Sequence, residues 1–335
     1  MWRVKFITKN HGGCDWLRQT EGGRGIVGNC QFIFDPLCDE YDWLVVYDDF
    51  PRRIGSEPYR YERLACAPEQ TILVTSEPAR IKRYERAYTR QFGSVFTSQS
   101  QEDLPHVHAV RGPSTSLWYY GQGADTLKQL EDLRSEIPEK SLIISTVCSS
   151  KQQGHTLHRR RYAFTQWLKE QLPELEVYGH GVRPIKDKAD AMDAYYYHIA
   201  IENDFSVNHW TEKLADAFLA GCLPFYYGCP NAEVFFPDAS FIRIDLEDWP
   251  GALSIIREAI ASGQYERRMP LIMEARRRVL EDHNLFVRLS AYIQAASKAS
   301  DHSLTKRRVY SRHAARWRSP FATVFDHLRL FGRGF

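Results

Sequence analysis

Apolar residues along the chain fall into short runs that are separated by charged or by glycine- and proline-rich segments. In the first third, runs of β character lie at 2–8, 31–35, 43–49, 71–77 and 94–99. Residues 78–92 instead follow helical spacing. This alternation predicts a parallel sheet with helices packed on it.

A second alternating series begins after a polar, helix-prone stretch from Gly121 to Lys140. Its predicted strands are 141–147, 175–180, 198–203, 223–228 and 241–246, and its predicted helices are 158–172, 188–197, 211–221 and 250–298. The two series predict an α/β protein of two Rossmann-like domains, at 1–135 and 141–300, that face each other across a ligand-binding cleft.

Composition agrees with a globular protein of more than one domain. The chain has 335 residues, of which 43% are hydrophobic and 26% are charged. The opening residues MWRVKFITKN lack the apolar core of a secretory signal, and the seven cysteines form no CxxC pair. We therefore expect a cytoplasmic protein with reduced cysteines.

The net charge of +2 hides a basic C-terminal region at 306–335. Phe321, Val324, Phe325 and Leu328 fall at helical spacing there, among arginines. A basic amphipathic tail of this kind predicts peripheral binding to an anionic membrane surface, on the inner face of the cytoplasmic membrane. The alternative is a helix that packs back on the domains. Nucleic acid is not expected as a partner, because no recognition fold accompanies the charge.

Residues 201–228 carry the clearest functional pattern. A predicted strand ends at Glu202 and Asn203, a polar loop follows, and a predicted helix starts at the N-cap Thr211 and ends at Gly221. Open α/β sheets bind ligands at such junctions of a strand's carboxyl end with a helix's amino end.

Lys213 lies in the first turn of this predicted helix, where the helix dipole disfavours a cation. Its ammonium and the free N–H groups of the helix start suit a diphosphate, and Glu212 can accept hydrogen bonds from ribose hydroxyls. The alternative is a surface lysine beside a glutamate that stabilises the helix without a ligand.

Two other segments have candidate polar groups. The loop 149–154 and the arginines 159–161 suit phosphate, although a solvated basic face explains two of the three arginines. Glu77 ends a predicted strand and can serve as a general base. Pairing with Arg80 is the alternative reading of Glu77, and Asp48 and Asp49 are rival carboxylates.

Two motifs are discounted. The glycines of 23–28 fit G-x-G-x-x-G, but the following residues predict a strand rather than the helix that dinucleotide binding needs. The histidine pairs 106/108 and 155/158 lack partners at metal-ligand spacing, so no metal site is expected.

The run E-N-(x)6-W-T-E-K-L-(x)6-G-(x)2-P-(x)3-G, from Glu202 to Gly228, resembles the donor-binding motif of the α-1,3/1,4-fucosyltransferases, glycosyltransferase family 10. The preceding YYYHIAIEN and the later Phe235-Phe236-Pro237 with SFIRIDL are also similar to this family. The resemblance is strong over 141–250.

This resemblance implies a GT-B fold, GDP-β-L-fucose as donor, and inversion at the anomeric carbon without an obligatory metal. It implies donor-binding roles for Arg161 and Lys213 at phosphate, Asn203 at the diphosphate and Glu212 at the ribose. TSEP at 75–78 is similar to the family's T-G-E-N, which makes Glu77 the counterpart of the general base.

One departure leaves the donor open. His209 stands where the family usually has tyrosine, and it can still donate to a phosphate. The leading hypothesis is transfer of L-fucose from GDP-fucose to a hydroxyl of a glycan or glycolipid of the surface polysaccharide or lipopolysaccharide type. No cofactor is expected, and the chain has no Asp-x-Asp motif. The alternatives are another nucleotide sugar and a non-catalytic, membrane-associated sugar-nucleotide binder.

Overall fold

The computed structural model describes residues 1–9, 13–113, 117–150, 156–296 and 307–318. These residues divide into two compact units. The first lies within Met1–Thr20, Arg24–Ser114 and Arg288–Phe335, and the second within Glu21–Gly23 and Thr115–Val287.

The first unit is built on a sheet whose strands are mostly short and buried. Its strands up to residue 113 are β1 Trp2–Thr8, β2 Ile26–Val27, β3 Cys30–Ile33, β4 Trp43–Tyr47, β5 Arg53–Ile54, β6 Glu57–Pro58, β7 Tyr61–Arg63, β8 Thr71–Val74, β9 Ser94–Thr97 and β10 Ala109–Arg111. Its helices in this part are α1 Gly13–Leu17 and α2 Arg86–Thr89, with a 3₁₀ turn at Pro68–Gln70.

The main sheet of the first unit has the order β10-β9-β8-β4-β1-β3-β2. Neighbouring strands are parallel except for the antiparallel pair of β2 and β3. The chain runs from β1 to β3 on one side and then to β4, β8, β9 and β10 on the other. The order of the strands therefore reverses between β1 and β4, which makes this the switch point of the sheet.

The second unit contains a parallel sheet with helices. Its strands are β11 Leu142–Val147, β12 Leu175–Tyr178, β13 Tyr195–Ile201, β14 Leu223–Tyr227 and β15 Ile242–Arg243. Its helices are α3 Leu130–Ser135, α4 His158–Gln171, α5 Glu212–Leu219, α6 Trp249–Ala261 and α7 Gln264–Leu280, with 3₁₀ turns at Glu21–Gly23, Lys188–Ala191 and Ala232–Val234. The order β12-β11-β13-β14-β15 reverses between β11 and β13.

Helix α5 is fixed at both ends. Gly221 follows it with a φ of 70°, and the N–H groups of Gly221 and Cys222 donate to the carbonyls of Phe218 and Ala217, which is a Schellman ending. The Lys140 ammonium donates to the Ala220 carbonyl at 2.6 Å. A cation at the carboxyl end of a helix stabilises the helix. These contacts therefore fix the end of α5 that lies away from the junction with β13.

The chain returns to the first unit at Arg288, within α8 Leu285–Ala296. The last described elements are β16 Arg308–Tyr310, which pairs antiparallel with β7, and α9 Arg312–Arg318. Part of the basic region predicted as a tail is therefore folded onto the first unit. Phe321, Val324, Phe325 and Leu328 lie outside the described residues, and membrane binding stays a prediction.

The α/β class with parallel sheets is confirmed, but two predicted helices are wrong. Residues 78–85 form turns and irregular backbone, and only Arg86–Thr89 is helical. The predicted helix 188–197 is a 3₁₀ turn, Lys188–Ala191, followed by β13 from Tyr195. The aromatic run at 195–197 has strong β propensity, and Tyr195 and Tyr197 are buried in the sheet.

Other predicted elements are shorter than expected. The predicted strand 241–246 is reduced to β15, and residues 121–140 contain only the helix α3. The long helical stretch 250–298 is divided at Gly263, whose φ is 64°, and again at 281–284. Cys30, Cys38, Cys66, Cys148, Cys222 and Cys229 are unpaired, as predicted. None of the described helices is long and apolar enough to cross a membrane.

Candidate functional site

Glu202 fixes the junction between β13 and α5. Its carboxylate is fully buried and accepts hydrogen bonds from Thr211 N at 2.8 Å and Thr211 Oγ1 at 2.6 Å. Thr211 in turn caps α5 by accepting a hydrogen bond from Lys213 N at 3.4 Å. A Cβ at Gly228 would lie 2.3 Å from Cγ of Glu202, so a residue without a side chain is required there.

The Lys213 ammonium is partnered by carboxylates of its own unit. Nζ lies 2.9 Å from Glu212 Oε1, 3.2 Å from Thr211 Oγ1 and 3.6 Å from Glu202 Oε2. Burial opposes the charge of Lys213, but Glu212 and Glu202 outweigh it and raise the pKa of Lys213. The carboxylates of Glu212 and Glu202 thus supply the anion that a lysine in a first helical turn needs, and Lys213 stays charged.

A second lysine extends this cluster along α5. Lys188 Nζ lies 2.7 Å from the buried Asp216 and 3.9 Å from Glu212. Burial would raise the pKa of Glu212, but Lys213 and Lys188 lower it to about 2. Glu212 is therefore ionised at neutral pH and available as a hydrogen-bond acceptor.

Arg161 joins α4 to the end of β13. Its Nη1 donates to Asn203 Oδ1 at 2.9 Å and to the Ile201 carbonyl at 3.3 Å. The buried Nε has no hydrogen-bond partner among the described residues. A buried donor without an acceptor costs about 1–3 kcal/mol, and the Nε edge of a guanidinium is suited to bidentate contacts with phosphate or carboxylate. Arg159 and Arg160 are exposed, so only one of the three arginines points into the junction.

His209, which stands where the family usually has tyrosine, and its neighbour Trp210 are both buried. Burial and the nearby Lys213 lower the pKa of His209 to about 4. The imidazole is therefore neutral at pH 7. Trp210 packs against Phe236 with ring centroids 4.9 Å apart and against His283 at 5.3 Å, so it belongs to the core.

The residues predicted to bind the donor lie at the switch point of the second sheet. Arg161 is on the helix that follows β11, whereas Asn203 and the Lys213 helix follow β13. The structure thus brings together Arg161, Asn203, Glu212 and Lys213 around the region where open α/β sheets bind ligands. Of the predicted phosphate loop, Ser149 and Ser150 are described, and residues 151–154 lie outside the described residues.

Glu77 lies in the first unit, in the loop after β8, and is half-buried. Its backbone carbonyl accepts a hydrogen bond from Gln99 Nε2 at 2.8 Å. The rival carboxylates, Asp48 and Asp49, are both hydrogen-bonded to other groups of the protein. Asp48 is bonded to Lys9, Lys82 and Tyr84, which hold its pKa well below its usual range despite its burial. Asp49 accepts hydrogen bonds from the N–H groups of Phe50 and Arg312.

The discounted motifs carry no site in the described structure. The glycines of 23–28 lead into the strands β2 and β3 instead of a helix. His106 Nε2 lies 3.1 Å from the Phe92 carbonyl. No group of three or more His, Cys, Asp or Glu in the described part of the chain is arranged to hold a metal ion. Independence from metal stays a prediction.

Lys188 and Asp216 are members of the cluster that sequence reasoning missed. Asp216 lies on the buried face of α5, one turn after Glu212, and a carboxylate on a buried face needs a partner. A carboxylate among apolar positions of α5 indicates from the sequence that a cation lies nearby. It does not identify that cation as Lys188, which is 28 residues away in the chain.

Known proteins with similar sequences point to one family. Residues 137–255 match the family model for "Glycosyltransferase family 10 (fucosyltransferase) C-term". The chain is 27% identical over 74 residues to the alpha-(1,3)-fucosyltransferase FucT of Helicobacter pylori. That alignment covers 22% of this chain and 16% of the relative, so the chain matches only about one sixth of that protein.

Solved structures extend the likeness to the whole fold. The crystal structure of an alpha1,3-fucosyltransferase has a TM-score of 0.53 and 14% identity, covering 91% of this chain and 92% of that one. A structure of alpha1,3-fucosyltransferase with GDP-fucose has a TM-score of 0.51, also with 14% identity, and covers 91% and 93% of the two chains.

At this identity the structural likeness shows the fold, which is the GT-B fold of glycosyltransferases. The family match contains all five predicted donor-site residues, Arg161, Asn203, His209, Glu212 and Lys213, whereas Glu77 lies outside it. The predicted resemblance to this family is confirmed over residues 137–255, which match the model of its C-terminal part.

Proposed function

We propose that this protein is an inverting fucosyltransferase that transfers L-fucose from GDP-fucose to a hydroxyl of a glycan acceptor. The observation that carries the proposal is the guanidinium of Arg161, which is anchored to Asn203 at 2.9 Å and keeps its buried Nε without a partner among the described residues. A diphosphate supplies the acceptor that this donor lacks.

In this proposal the donor is held at the switch point of the second sheet. Arg161 and Lys213 bind the phosphates, Asn203 contacts the diphosphate and orients Arg161, and Glu212 accepts hydrogen bonds from the ribose. His209 is neutral at pH 7 and donates one N–H to a phosphate. No cofactor is required.

The reaction is a single displacement. Glu77 takes the proton of the acceptor hydroxyl, whose oxygen forms a bond to C1 of fucose while the bond from C1 to the phosphate oxygen breaks. GDP leaves with that electron pair, through an oxocarbenium-like transition state. Arg161 and Lys213 stabilise the charge that develops on the leaving diphosphate, in the role that a metal ion has in other glycosyltransferases.

The acceptor in this proposal is a surface polysaccharide or a lipopolysaccharide, and the enzyme works in the cytoplasm. Residues 319–335 then add contact with the anionic inner face of the membrane through their basic and aromatic side chains.

The proposal is tested by two substitutions with different expected effects. Lys213→Ala should weaken GDP binding about tenfold or more in calorimetry, because a charge-assisted contact is lost. Lys186→Ala is the matched control, since the side chain of Lys186 is 78% exposed and its ion pair among the described residues is with Asp125 at the surface. Unchanged GDP affinity in Lys213→Ala would refute the donor site.

Glu77→Gln should abolish fucose transfer and retain GDP-fucose binding, since the amide cannot accept the proton. Turnover with another nucleotide sugar in place of GDP-fucose would correct the donor. Donor binding without turnover by the native protein, with every donor and acceptor offered, would identify a non-catalytic sugar-nucleotide binder instead.

A further inference from the structure

The switch point of the first sheet also carries a charged cluster. Lys9 follows β1, Asp48 follows β4, and Lys82 lies in the loop after β8. These are three adjacent parallel strands, and their carboxyl ends lie at one edge of the sheet. Open α/β sheets bind ligands at this position, which corresponds to the position of Arg161 and Asn203 in the second sheet.

Asp48 holds two ammonium groups side by side. Its Oδ2 accepts a hydrogen bond from Lys9 Nζ at 2.5 Å, and its Oδ1 accepts from Lys82 Nζ and, at 2.5 Å, from Tyr84 OH. The Asp48 backbone has a φ of 68°, which is uncommon for a residue other than glycine. Such backbone conformations cluster at functional sites.

The two lysines are not fully compensated. Within the described chain, Asp48 is the only carboxylate within salt-bridge distance of either ammonium, which leaves a local excess of one positive charge. Each ammonium has three donors. The nearby Asp49 also favours the charged form of Lys9, but among the described residues it makes no ion pair with either lysine, and Glu85 is paired with Arg312 and Arg316.

Burial and the neighbouring Lys9 lower the pKa of Lys82 to about 8, although Asp48 favours the charged form. A second anion beside Lys82 would raise the pKa of Lys82 back toward its ordinary value. An anion can reach this pair from the side of Lys9, whose side chain is 47% exposed, whereas the side chain of Lys82 is largely buried, with 14% exposed.

We propose that Lys9 and Lys82 bind an anionic group of the acceptor, a sugar carboxylate or phosphate, at the switch point of the first sheet. Asp48 and Tyr84 hold the two ammonium groups in place for this contact. The inference rests on the proposed function, because the bound molecule is the acceptor of the transfer. It adds the chemical class of that acceptor, which is an acidic glycan.

The test compares glucuronate with glucose, which differ in one carboxylate, by saturation-transfer NMR on the full chain. The native protein should bind glucuronate about tenfold more tightly than glucose or better, since the carboxylate adds charge-assisted hydrogen bonds. Lys9→Met and Lys82→Met should each remove most of this preference, and Lys9→Arg should retain it. Lys186→Met is the control, a surface lysine that pairs with one carboxylate in the second unit.

Equal affinities for glucuronate and glucose in the native protein, or an unchanged preference in a folded Lys9→Met variant, would overturn the inference. Lys9 is half-exposed, so its removal leaves no large buried cavity. A second arm separates an acceptor site from a nucleotide site. Saturating GDP should leave glucuronate binding unchanged, and displacement by GDP would assign the lysines to the donor instead.

Failure of this inference and failure of the proposed function are distinguishable. GDP affinity, measured on the same samples, should be the same in the native protein and in Lys9→Met. A native protein that does not bind GDP contradicts the proposed donor. The comparison of glucuronate with glucose tests anion binding by Lys9 and Lys82, whatever the donor is.

Discussion

His209 is the residue of the proposed donor site whose charge is set most directly by burial. Its side chain is almost inaccessible, and Lys213 adds repulsion to the cost of desolvating an imidazolium. The neutral ring has one N–H donor. In the proposed donor site, His209 therefore offers one directional N–H at physiological pH, while Lys213 and Arg161 supply the positive charge.

The low pKa of His209 predicts a loss of stability in acid. The unfolded chain takes up a proton near pH 6.5, but the folded protein does so only near pH 4, so stability is complete above 6.5 and falls between these values. At pH 5 the loss is about 1–2 kcal/mol relative to pH 7. Urea unfolding of the native protein and of His209→Gln at both pH values measures it.

The variant should lose less stability than the native protein by this amount. His198, whose pKa burial lowers to about 3, contributes the same loss to both proteins and cancels in the comparison. An equal acid sensitivity of the two proteins would contradict the assignment of a buried neutral imidazole to His209.

At the residue scale, the sequence identifies groups that act through local spacing. Asn203, Thr211, Glu212 and Lys213 lie within one strand-to-helix junction, and a short motif contains them. Lys82 and Asp48 do not share a segment, since 34 residues separate them, and their contact depends on the packing of β8 beside β4. The spacing of residues along the chain therefore does not predict the contact between Lys82 and Asp48.

At the scale of elements, α5 shows why some segments are predictable. Its cap at Thr211, its buried stripe and its glycine ending all favour the same helix, so the predicted span 211–221 agrees with Glu212–Leu219. Residues 78–92 have helical spacing without such ends. There Lys82 and Tyr84 bond to Asp48, and these tertiary contacts replace the helix.

Thr211→Ala should destabilise the second unit by about 2 kcal/mol, because α5 loses its cap and the buried Glu202 loses one donor. Thr211→Ser keeps both hydrogen bonds and should restore most of the loss. Urea unfolding measures both variants. If alanine and serine gave the same stability, the hydroxyl would have no part in fixing this junction.

At the scale of the whole molecule, the first unit is discontinuous in sequence. Strand β16 pairs with β7, and Arg312 and Arg316 bond to the buried Glu85. The predicted domain boundary near residue 300 does not include this return of the chain to the first unit. The sequence of a three-residue strand and a short basic helix does not indicate which surface they pack on. The parallel sheets themselves were predictable from the alternation of apolar runs.

Glu85→Gln should destabilise the first unit by about 2–3 kcal/mol, since two guanidinium groups lose a buried partner. The control is Glu247→Gln, whose partner Arg160 is exposed, and its expected effect is below about 1 kcal/mol. Two-domain proteins often unfold in two steps, so only one denaturant transition should move. A shift of both transitions, or of neither, would contradict the docking of α9 by this carboxylate.

The return of the chain at Arg288 also orders events during translation. Apart from Glu21–Gly23, the second unit occupies one continuous stretch, Thr115–Val287. The ribosome therefore synthesises every residue of the second unit before it synthesises β16 and α9. The first unit cannot complete its described structure until β16 has been synthesised. Strand β7 therefore lacks its antiparallel pairing partner until synthesis has passed Tyr310.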